Sequence, residues 1–287
     1  MKAIYKKEVK SYLTSMIGYV FIFFILLLEG IYFTAYNLQN AYPLFGTTLS
    51  AVTFIFLILV PVLTMKTIAE ERKQKTDQLL LTAPVSVSEI VLGKFLAVAT
   101  VYAIPVLIIC LYPMIMGKYG TVSYAMAYTA VLGFALLGFA QIAVGVFWSS
   151  VTENPVIAAV VTFIVLFVCY MITGIGSLIP DSSMASLACY MLLVLLAAVW
   201  IYHMIRNLWI AAVIGIAGEA ALAITYVVNS TLFEGSIQKF LSVFDITSHF
   251  DNFTNGILDL QGVVYFLSVI IIFLVLTVQT ITKRRWN

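Results

Sequence analysis

Charged residues are rare in this chain, and the densest group of them interrupts two long apolar runs. It occupies Lys66–Lys94, KTIAEERKQKTDQLLLTAPVSVSEIVLGK. Acids and bases at this density can form charge-assisted hydrogen bonds, through which another protein would bind this chain. The segment therefore predicts a docking site. The alternative is a solvated loop whose bases only fix the orientation of the chain in a membrane.

Helix-breaking and helix-capping residues predict the local structure of this segment. Ala69–Leu81 is predicted to be a polar helix that ends in three leucines. Pro84 disfavours helix at the residue before it, so the chain must turn there. Ser86 and Glu89 have the spacing of a capping box, which starts the next helix. We therefore expect a short helix, a turn at a membrane surface and a return.

Two carboxylates and one amide lie inside apolar runs, where ionisable groups are costly. Glu29 stands in FILLLEGIY, Glu219 stands in GIAGEAALAI, and Gln141 follows two glycines in the fourth run. Each carboxylate has two interpretations that stay open: a hydrogen bond across a helix interface, or the handling of protons or substrate. Gln141 would line a helix seam or a path, and we expect the seam.

Several kinds of chemistry are excluded by the sequence. The chain has no G-x-x-x-x-G-K-[ST] motif for a nucleotide, and no serine, cysteine or carboxylate grouping has the spacing of a hydrolase. The three cysteines imply no disulfide framework. His203 and His249 are expected at opposite faces of a membrane, too far apart for a metal site. We therefore expect no enzyme activity, no cofactor or metal on this chain, and no nucleic acid partner.

The composition sets the protein class. With 63% hydrophobic and 10% charged residues, the chain is an integral membrane protein. A helix crosses a hydrocarbon core with about 20 apolar residues, and runs that are apolar on every face exclude barrel strands. We predict an all-α polytopic transmembrane helical bundle, a single domain over residues 1–287 with about eight spans. The eight runs are Ile17–Tyr36, Leu49–Met65, Phe95–Met116, Ser123–Ser149, Val156–Ile179, Met184–Met204, Leu208–Val228 and Val263–Ile281.

The basic residues predict the orientation of the chain. Eight spans place thirteen of the fifteen Lys and Arg residues on one side and leave Lys118 and Lys239 on the other. Because bases collect on the inner side, both termini are expected in the cytoplasm. Residues 1–16 have the pattern of a helix at the inner interface, with a plain basic anchor as the alternative. Residues 229–261 carry amphipathic patterns too short to span, and predict outer surface or re-entrant helices before the last span.

The charged segment resembles that of a known family. Its pattern E-E-R-K-x-x-T-D-x-L-L-x-T-A-P-V-S-x-x-E-I-V-x-G-K is similar to the cytoplasmic loop of ABC-2-type exporter permeases. The C-terminal stretch from Ser248, SHFDNFTNGILDLQGVVYFLSVIIIFLVLTVQTITKRRW, is similar to the end of the gliding-motility-associated subgroup of these permeases. Together with the N-terminal helix, the resemblance extends over about two-thirds of the chain.

The resemblance implies a permease that alternates access in a bacterial plasma membrane while a partner chain hydrolyses ATP. Two copies of an ABC ATPase, which bind the ATP and Mg, would dock beneath a dimer of this chain with a second copy or a homologue. The residues that the resemblance assigns to the ATPase contact are Glu70, Glu71, Arg72, Lys73, Thr76, Asp77, Leu79, Leu80, Thr82 and Pro84.

The predicted span number departs from the family, whose permeases typically have six spans. The additional two would be Met184–Met204 and Leu208–Val228, a hairpin turning at His203–Asn207. This hairpin would flank a path, recruit an accessory extracytoplasmic subunit, or only widen the bundle.

Two other function classes stay open. A proton-coupled secondary transporter would use Glu29 or Glu219 as its proton site. An enzyme acting on lipid-linked substrates would use the polar residues that cluster before the last span, which are Asp245, His249, Asp251 and Asp259.

Overall fold

The structure is a computed structural model that describes residues 1–77 and 85–286. Throughout these residues the regular elements are helices, as continuous apolar runs require where no water satisfies the backbone. They pack as two compact units: residues 1–168 with 246–287 form the first, and residues 169–245 form the second. The prediction of an all-α polytopic bundle is confirmed.

The helices are numbered in chain order. The first unit begins with α1 (Lys2–Thr14), α2 (Met16–Tyr32) with its π-helical extension (Phe33–Gln39), α3 (Phe45–Thr53), α4 (Phe56–Thr64), α5 (Ala69–Lys73), α6 (Val87–Ile109), α7 (Tyr112–Met116) and α8 (Tyr124–Val151). Helix α9 (Pro155–Ser177) continues into the second unit, which holds α10 (Ser183–Ile205), α11 (Leu208–Val228), a 3₁₀ turn (Ser230–Phe233) and α12 (Ser236–Ser242). The first unit ends with a 3₁₀ turn (Ser248–Phe250), α13 (Asp251–Thr254) and α14 (Leu260–Trp286).

Helix α8 is the central element of the first unit. It packs against α3, α4, α6, α13 and α14. The close approach of α6 and α4 to α8 depends on two glycines of α8. A Cβ at Gly138 would overlap the Tyr102 ring on α6, and a Cβ at Gly145 would overlap the Thr64 side chain on α4. The Tyr102 hydroxyl donates a hydrogen bond of 2.7 Å to the Phe134 carbonyl oxygen, which fixes α6 against α8. Gln141 on α8 is buried in this packing.

Among residues 1–77 and 85–286, six helices are long and apolar enough to cross a membrane, and the count rises to eight if each of two bent helix pairs is one span. The predicted span Leu49–Met65 corresponds to α3 and α4, which meet at an angle of 60°. The predicted span Leu208–Val228 is helical, but Ala212–Val228 bends by 117° into the 3₁₀ turn and α12 that follow it. The first helix and the short helices before the last span are present as predicted.

The second unit is built on a helical hairpin of α10 and α11. Arg206 adopts a left-handed φ of 54° at the turn, within the predicted turn at His203–Asn207. A Cβ at Gly218 would lie 2.8 Å from Val194, so glycine permits the close approach of the two helices. Gln238 on α12 donates a 2.9 Å hydrogen bond to the Ile179 carbonyl oxygen, and Asp245 accepts one from the Thr173 hydroxyl.

Candidate functional site

The structure places most of the predicted docking residues on or just after α5. Glu70, Glu71, Arg72 and Lys73 lie on α5, and Thr76 and Asp77 follow it. The predicted helix Ala69–Leu81 is interrupted after Lys73, where α5 ends, and Lys75 takes a left-handed φ of 57°; residues 78–81 of that prediction lie outside the described residues. The remaining four predicted residues, Leu79, Leu80, Thr82 and Pro84, lie outside the described residues.

The entry into α5 is fixed by Ser149 near the end of α8. The buried Ser149 hydroxyl oxygen accepts hydrogen bonds of 3.1 Å from the backbone N–H groups of Ile68 and Ala69. The same hydroxyl donates a 3.1 Å hydrogen bond to the Met65 carbonyl oxygen. These two N–H groups belong to a helix start, where the backbone has no partner of its own. One side chain of α8 therefore satisfies the backbone at the junction of α4 and α5.

A buried ion cluster joins α5 to α1 and α6. The ammonium of Lys94, whose side chain is 2% exposed, lies 2.9 Å from Glu8 Oε1 and 2.9 Å from Glu71 Oε2. It also donates a 2.8 Å hydrogen bond to the Thr67 carbonyl oxygen. Three acceptors thus satisfy the three N–H donors of one ammonium. We call Lys94, Glu8 and Glu71 the Lys94 cluster.

Helix α1 makes a second set of contacts with the residues just before α5. The Tyr12 hydroxyl lies 3.0 Å from the Thr67 hydroxyl and donates to the Leu63 carbonyl oxygen at 3.2 Å. Burial raises the pKa of Tyr12 above its ordinary value, so the phenol stays a donor at neutral pH. Beside these contacts, a polar cavity of about 580 Å³ opens between α1 and α5, with Ser11 and Gln74 in its lining. Helix α5 is therefore held from one side and open on another.

Arg72 faces a different group of charges. Its side chain is buried, and its Nη1 has no hydrogen-bond partner in the part of the chain that the structure describes. Burial, and then the like charge of Arg284, lower the pKa of Arg72 to about 10, against the opposing effects of Asp77 and Glu153. Arg284 in turn pairs with Glu153 at 3.3 Å, which joins the end of α14 to the α8–α9 junction.

The predicted helix cap is formed after the charged segment. The Ser86 hydroxyl accepts a 3.3 Å hydrogen bond from the Glu89 backbone N–H at the start of α6. The Glu89 carboxylate lies 4.0 Å from the amino group of Met1. The start of α6 is thus fixed both by its own cap and by the start of α1.

The three intramembrane candidates lie on different helices. Glu29 on α2 is 0% exposed, and both of its carboxylate oxygens lack a hydrogen-bond partner among residues 1–77 and 85–286. Gln141 Oε1 and Glu219 Oε1 are likewise buried without a partner within those ranges. Glu29 and Gln141 belong to the first unit, and Glu219 belongs to the second. The hydrogen bond across a helix interface that we considered for the carboxylates is therefore not made by these atoms.

The family comparison decides what kind of protein carries this site. The family model described as ABC-2 family transporter protein matches residues 2–284. The chain belongs to the ABC-2 transporter family. No curated protein matches it. The chain is thus a multi-pass transmembrane permease of an ABC transporter, a transport component, and its family works with an ABC ATPase subunit.

Sequence reasoning missed the ABC-2 permease residues that anchor the charged segment. The sequence placed Lys94 at the end of the charged segment but gave it no role of its own, and it did not single out Glu8 or Ser149. A signal for Lys94 was present, because a lysine that opens a long apolar run needs a partner to be buried. The partner itself was not readable, since Glu8 lies 86 residues away in sequence.

The polar residues before the last span do not form a metal centre in this ABC-2 permease. The residues that the structure describes contain no group of three or more His, Cys, Asp or Glu able to hold a metal ion. The His249 ring stacks on Tyr265 with centroids 3.7 Å apart. The exposed Asp259 accepts hydrogen bonds from Asn252 and from the Gln261 backbone, and the first of these contributes most to the lowered pKa of Asp259. Asp245, in the second unit, accepts from Thr173.

Proposed function

We propose that this chain is the permease subunit of an ABC exporter, in which ATP hydrolysis on a separate ATPase drives alternating access. Two ATPase copies would serve a dimer of this chain with a second copy or a homologue, in a bacterial plasma membrane. The C-terminal resemblance favours the gliding-motility-associated subgroup. The single observation that carries the proposal is the attachment of α5 to three other helices through the Lys94 cluster and Ser149.

This attachment supports a mechanical role for α5. A docking segment can move a bundle only if force on it reaches the spans rather than bending a loop. Glu71 ties α5 to Lys94 at the start of α6, and Ser149 ties its entry to the end of α8. Interiors packed in this way transmit displacement instead of absorbing it. An ATPase that grips the exposed Lys73 and Thr76 would therefore move α1, α6 and α8 together with α5.

The charge distribution supports a cytoplasmic position for this end. Contacts within the first unit bring the N-terminal helix, the charged segment and the start of α6 together. Arg284 near the C-terminus reaches the α8–α9 junction, beside Arg72. Because bases collect on the inner side of a membrane, this end would face the cytoplasm with both termini.

A second candidate function is proton-coupled transport through Glu29 or Glu219. One observation favours it: Glu29 is wholly buried and neither of its oxygens has a hydrogen-bond partner within the described ranges. Acids inside a membrane are costly, and they often mark proton or ion pathways. ATP-driven transport remains the leading proposal because the family match covers almost the whole chain.

The test is purification of the tagged chain from its own host in mild detergent, with mass spectrometry of the proteins that co-purify. We expect a stoichiometric ABC ATPase with the wild type, and its loss when Lys73, Thr76 and Asp77 are replaced by alanine. The matched control is Lys118→Ala, which removes another exposed lysine between α7 and α8 and should retain the ATPase. A folded wild-type chain with no ATPase contradicts the proposal and favours the proton-coupled alternative.

A further inference from the structure

The polar cavity between α1 and α5 lies at the depth of lipid headgroups. Its volume of about 580 Å³ falls within the range of about 300–1,000 Å³ that is typical of small-molecule sites. Its lining includes Ser15 and Ile17 around the start of α2, and Lys66 and Thr67 just after α4. Because the apolar helices α2 and α4 both meet the cavity at their ends, it lies where the hydrocarbon of a membrane gives way to water.

Two lysines bring positive charge to this cavity. Lys7 on α1 and Lys66 after α4 both line it, and their side chains are 67% and 43% exposed. Lys7 pairs with Glu71 at 3.4 Å, and Lys66 pairs with Glu70 at 3.3 Å. An ammonium has three donors, and ion pairs that water screens are weak, so both lysines can bind a further anion. The cavity therefore offers hydrogen-bond donors to a phosphate from two elements of the chain.

The acids of the cavity lining are not all committed to the protein. Glu8 and Glu71 belong to the Lys94 cluster, whose ammonium lies 2.9 Å from each of them. Glu70, at 34% exposure, has only its pair with lysine and a 3.4 Å hydrogen bond from Gln74 in the part of the chain that the structure describes. A carboxylate has about four sites for hydrogen bonds, so Glu70 can accept from a further cation. The cavity thus combines donors for an anion with an acceptor for a cation.

An exposed apolar face of α2 leads away from the cavity. Phe24 and Ile31 follow Ile17 at intervals of seven residues, which places all three on one face of the helix. Phe24 is 42% exposed and Ile31 is 55% exposed. A lipid with its headgroup in the cavity can lay its acyl chains along this face, whereas a soluble phosphate ester cannot. The structure therefore favours a lipid as the occupant.

We propose that the cavity binds the headgroup of a phospholipid that carries a primary ammonium, as phosphatidylethanolamine does. Lys7 and Lys66 bind the phosphate, and Glu70 accepts hydrogen bonds from the ammonium. The bound lipid bridges α1 and the residues around α5 beside the Lys94 cluster. The inference goes beyond the ATPase partnership and does not depend on it.

The test measures lipid retention by the full-length chain in detergent with native mass spectrometry. Three probes share their acyl chains: phosphatidylethanolamine, phosphatidylcholine and diacylglycerol. We expect phosphatidylethanolamine to bind about tenfold more tightly than diacylglycerol, which has no phosphate to accept charge-assisted hydrogen bonds. It should also bind more tightly than phosphatidylcholine, whose trimethylammonium donates no hydrogen bond to Glu70. Equal binding of phosphatidylethanolamine and diacylglycerol would overturn the proposal.

A fourth probe, glycerophosphoethanolamine, distinguishes a lipid from a soluble phosphate ester. It carries the same headgroup without acyl chains, and we expect it to bind more weakly than the lipid because it cannot cover the exposed face of α2. Binding as tight as that of the lipid would mean that the site serves soluble phosphate esters, and the lipid assignment would be wrong.

Two charge variants of α1 separate the cavity from a general attraction to basic residues. Lys7→Gln removes a lysine of the lining, and Lys6→Gln removes its exposed neighbour, which does not line the cavity. We expect about tenfold weaker binding of phosphatidylethanolamine for Lys7→Gln, since one charge-assisted contact is lost, and little change for Lys6→Gln. Equal weakening by both variants would contradict a site in the cavity.

A steric pair of variants tests the cavity without changing any charge. Ser11→Trp adds bulk to an exposed residue of the lining, and Thr14→Trp adds the same bulk to an exposed residue of α1 that does not line the cavity. We expect loss of phosphatidylethanolamine binding only for Ser11→Trp. Equal effects of the two tryptophans would overturn the proposal. This pair still decides if Lys7→Gln fails to fold.

Discussion

At the scale of single residues, Lys94 is the side chain that joins α5 to α1 and α6. Two carboxylates lie 2.9 Å from its ammonium, and the Lys94 side chain is 2% exposed. Removing one member of such a cluster is costly, because it leaves a largely buried charge without its partner. The ion pair of Lys66 with Glu70 at 3.3 Å is chemically similar but partly exposed, so water replaces a lost partner.

This contrast gives a first prediction. Lys94→Met leaves Glu8 and Glu71 facing each other, and we expect a loss of about 3–5 kcal/mol in the free energy of unfolding. Lys66→Met should cost less than about 1 kcal/mol. Chemical unfolding of the purified variants in detergent measures both. Adding Glu8→Gln and Glu71→Gln to Lys94→Met should recover much of the loss, and equal costs for the two lysine variants would contradict the cluster.

Glu29 allows a second prediction at this scale. Because neither oxygen has a hydrogen-bond partner within the described residues, Glu29→Gln removes no contact seen there. We expect a free energy of unfolding within about 1 kcal/mol of the wild type, or above it. Glu8→Gln makes the same chemical change in a paired site and should cost about 1.5–3 kcal/mol. A large loss from Glu29→Gln would show that this carboxyl has a structural partner.

At the scale of elements, the apolar runs predicted where helices lie but not how they bend or join. The composition does not reveal the break between α3 and α4, because both helices are apolar and hydropathy does not depend on the direction of a helix axis. Packing against α8 sets that direction. The end of α5 was not predictable either, because the sequence favours helix beyond Lys73, whereas Lys75 takes a left-handed φ. The cap at Ser86 was predictable because all of its atoms lie within four residues.

The junction of α4 and α5 gives a third prediction. Ser149→Ala leaves the N–H groups of Ile68 and Ala69 buried without an acceptor, which should cost about 1–3 kcal/mol. Hydrogen exchange should quicken at those two amides. Ser150→Ala is the matched control, because Ser150 is also buried but its hydroxyl has no hydrogen-bond partner in the described part of the chain. Equal exchange in the two variants would contradict the anchoring role of Ser149.

At the scale of the whole molecule, contacts within the first unit restrict the number of crossings. Helix α2 with its extension has 24 residues and is about 36 Å long. It begins at the end of the first unit where the Lys94 cluster lies. The chain is back at that end by α5, so we expect the bent pair α3–α4 to carry it across the membrane. By the same argument α8 returns to this end, because Ser149 contacts Ile68, and Arg284 brings α14 back beside Glu153.

The fourth prediction follows from this parity. Helix α9 starts at the end of the first unit where α14 finishes, so the chain between them begins and ends on the opposite side of the membrane. Helices α10 and α11 must therefore either both cross the membrane or both stay on that side. In either case the total number of spans is even. We expect both to cross. The native cysteines are first replaced by serine, and single cysteines are placed at Lys75, Lys118, Arg206 and Lys283. An impermeant thiol reagent should then label Lys75→Cys, Arg206→Cys and Lys283→Cys in inverted vesicles, and Lys118→Cys in right-side-out vesicles.

Arg206→Cys is the deciding position in this experiment, because it lies at the tip of the α10–α11 hairpin. Labelling from the same side as Lys283→Cys means that the hairpin spans the membrane, with Glu219 at mid-membrane depth. Labelling from the side of Lys118→Cys would mean that the hairpin does not cross. Glu219 would then lie near water, whereas the Lys94 cluster and its link to α5 would be unaffected.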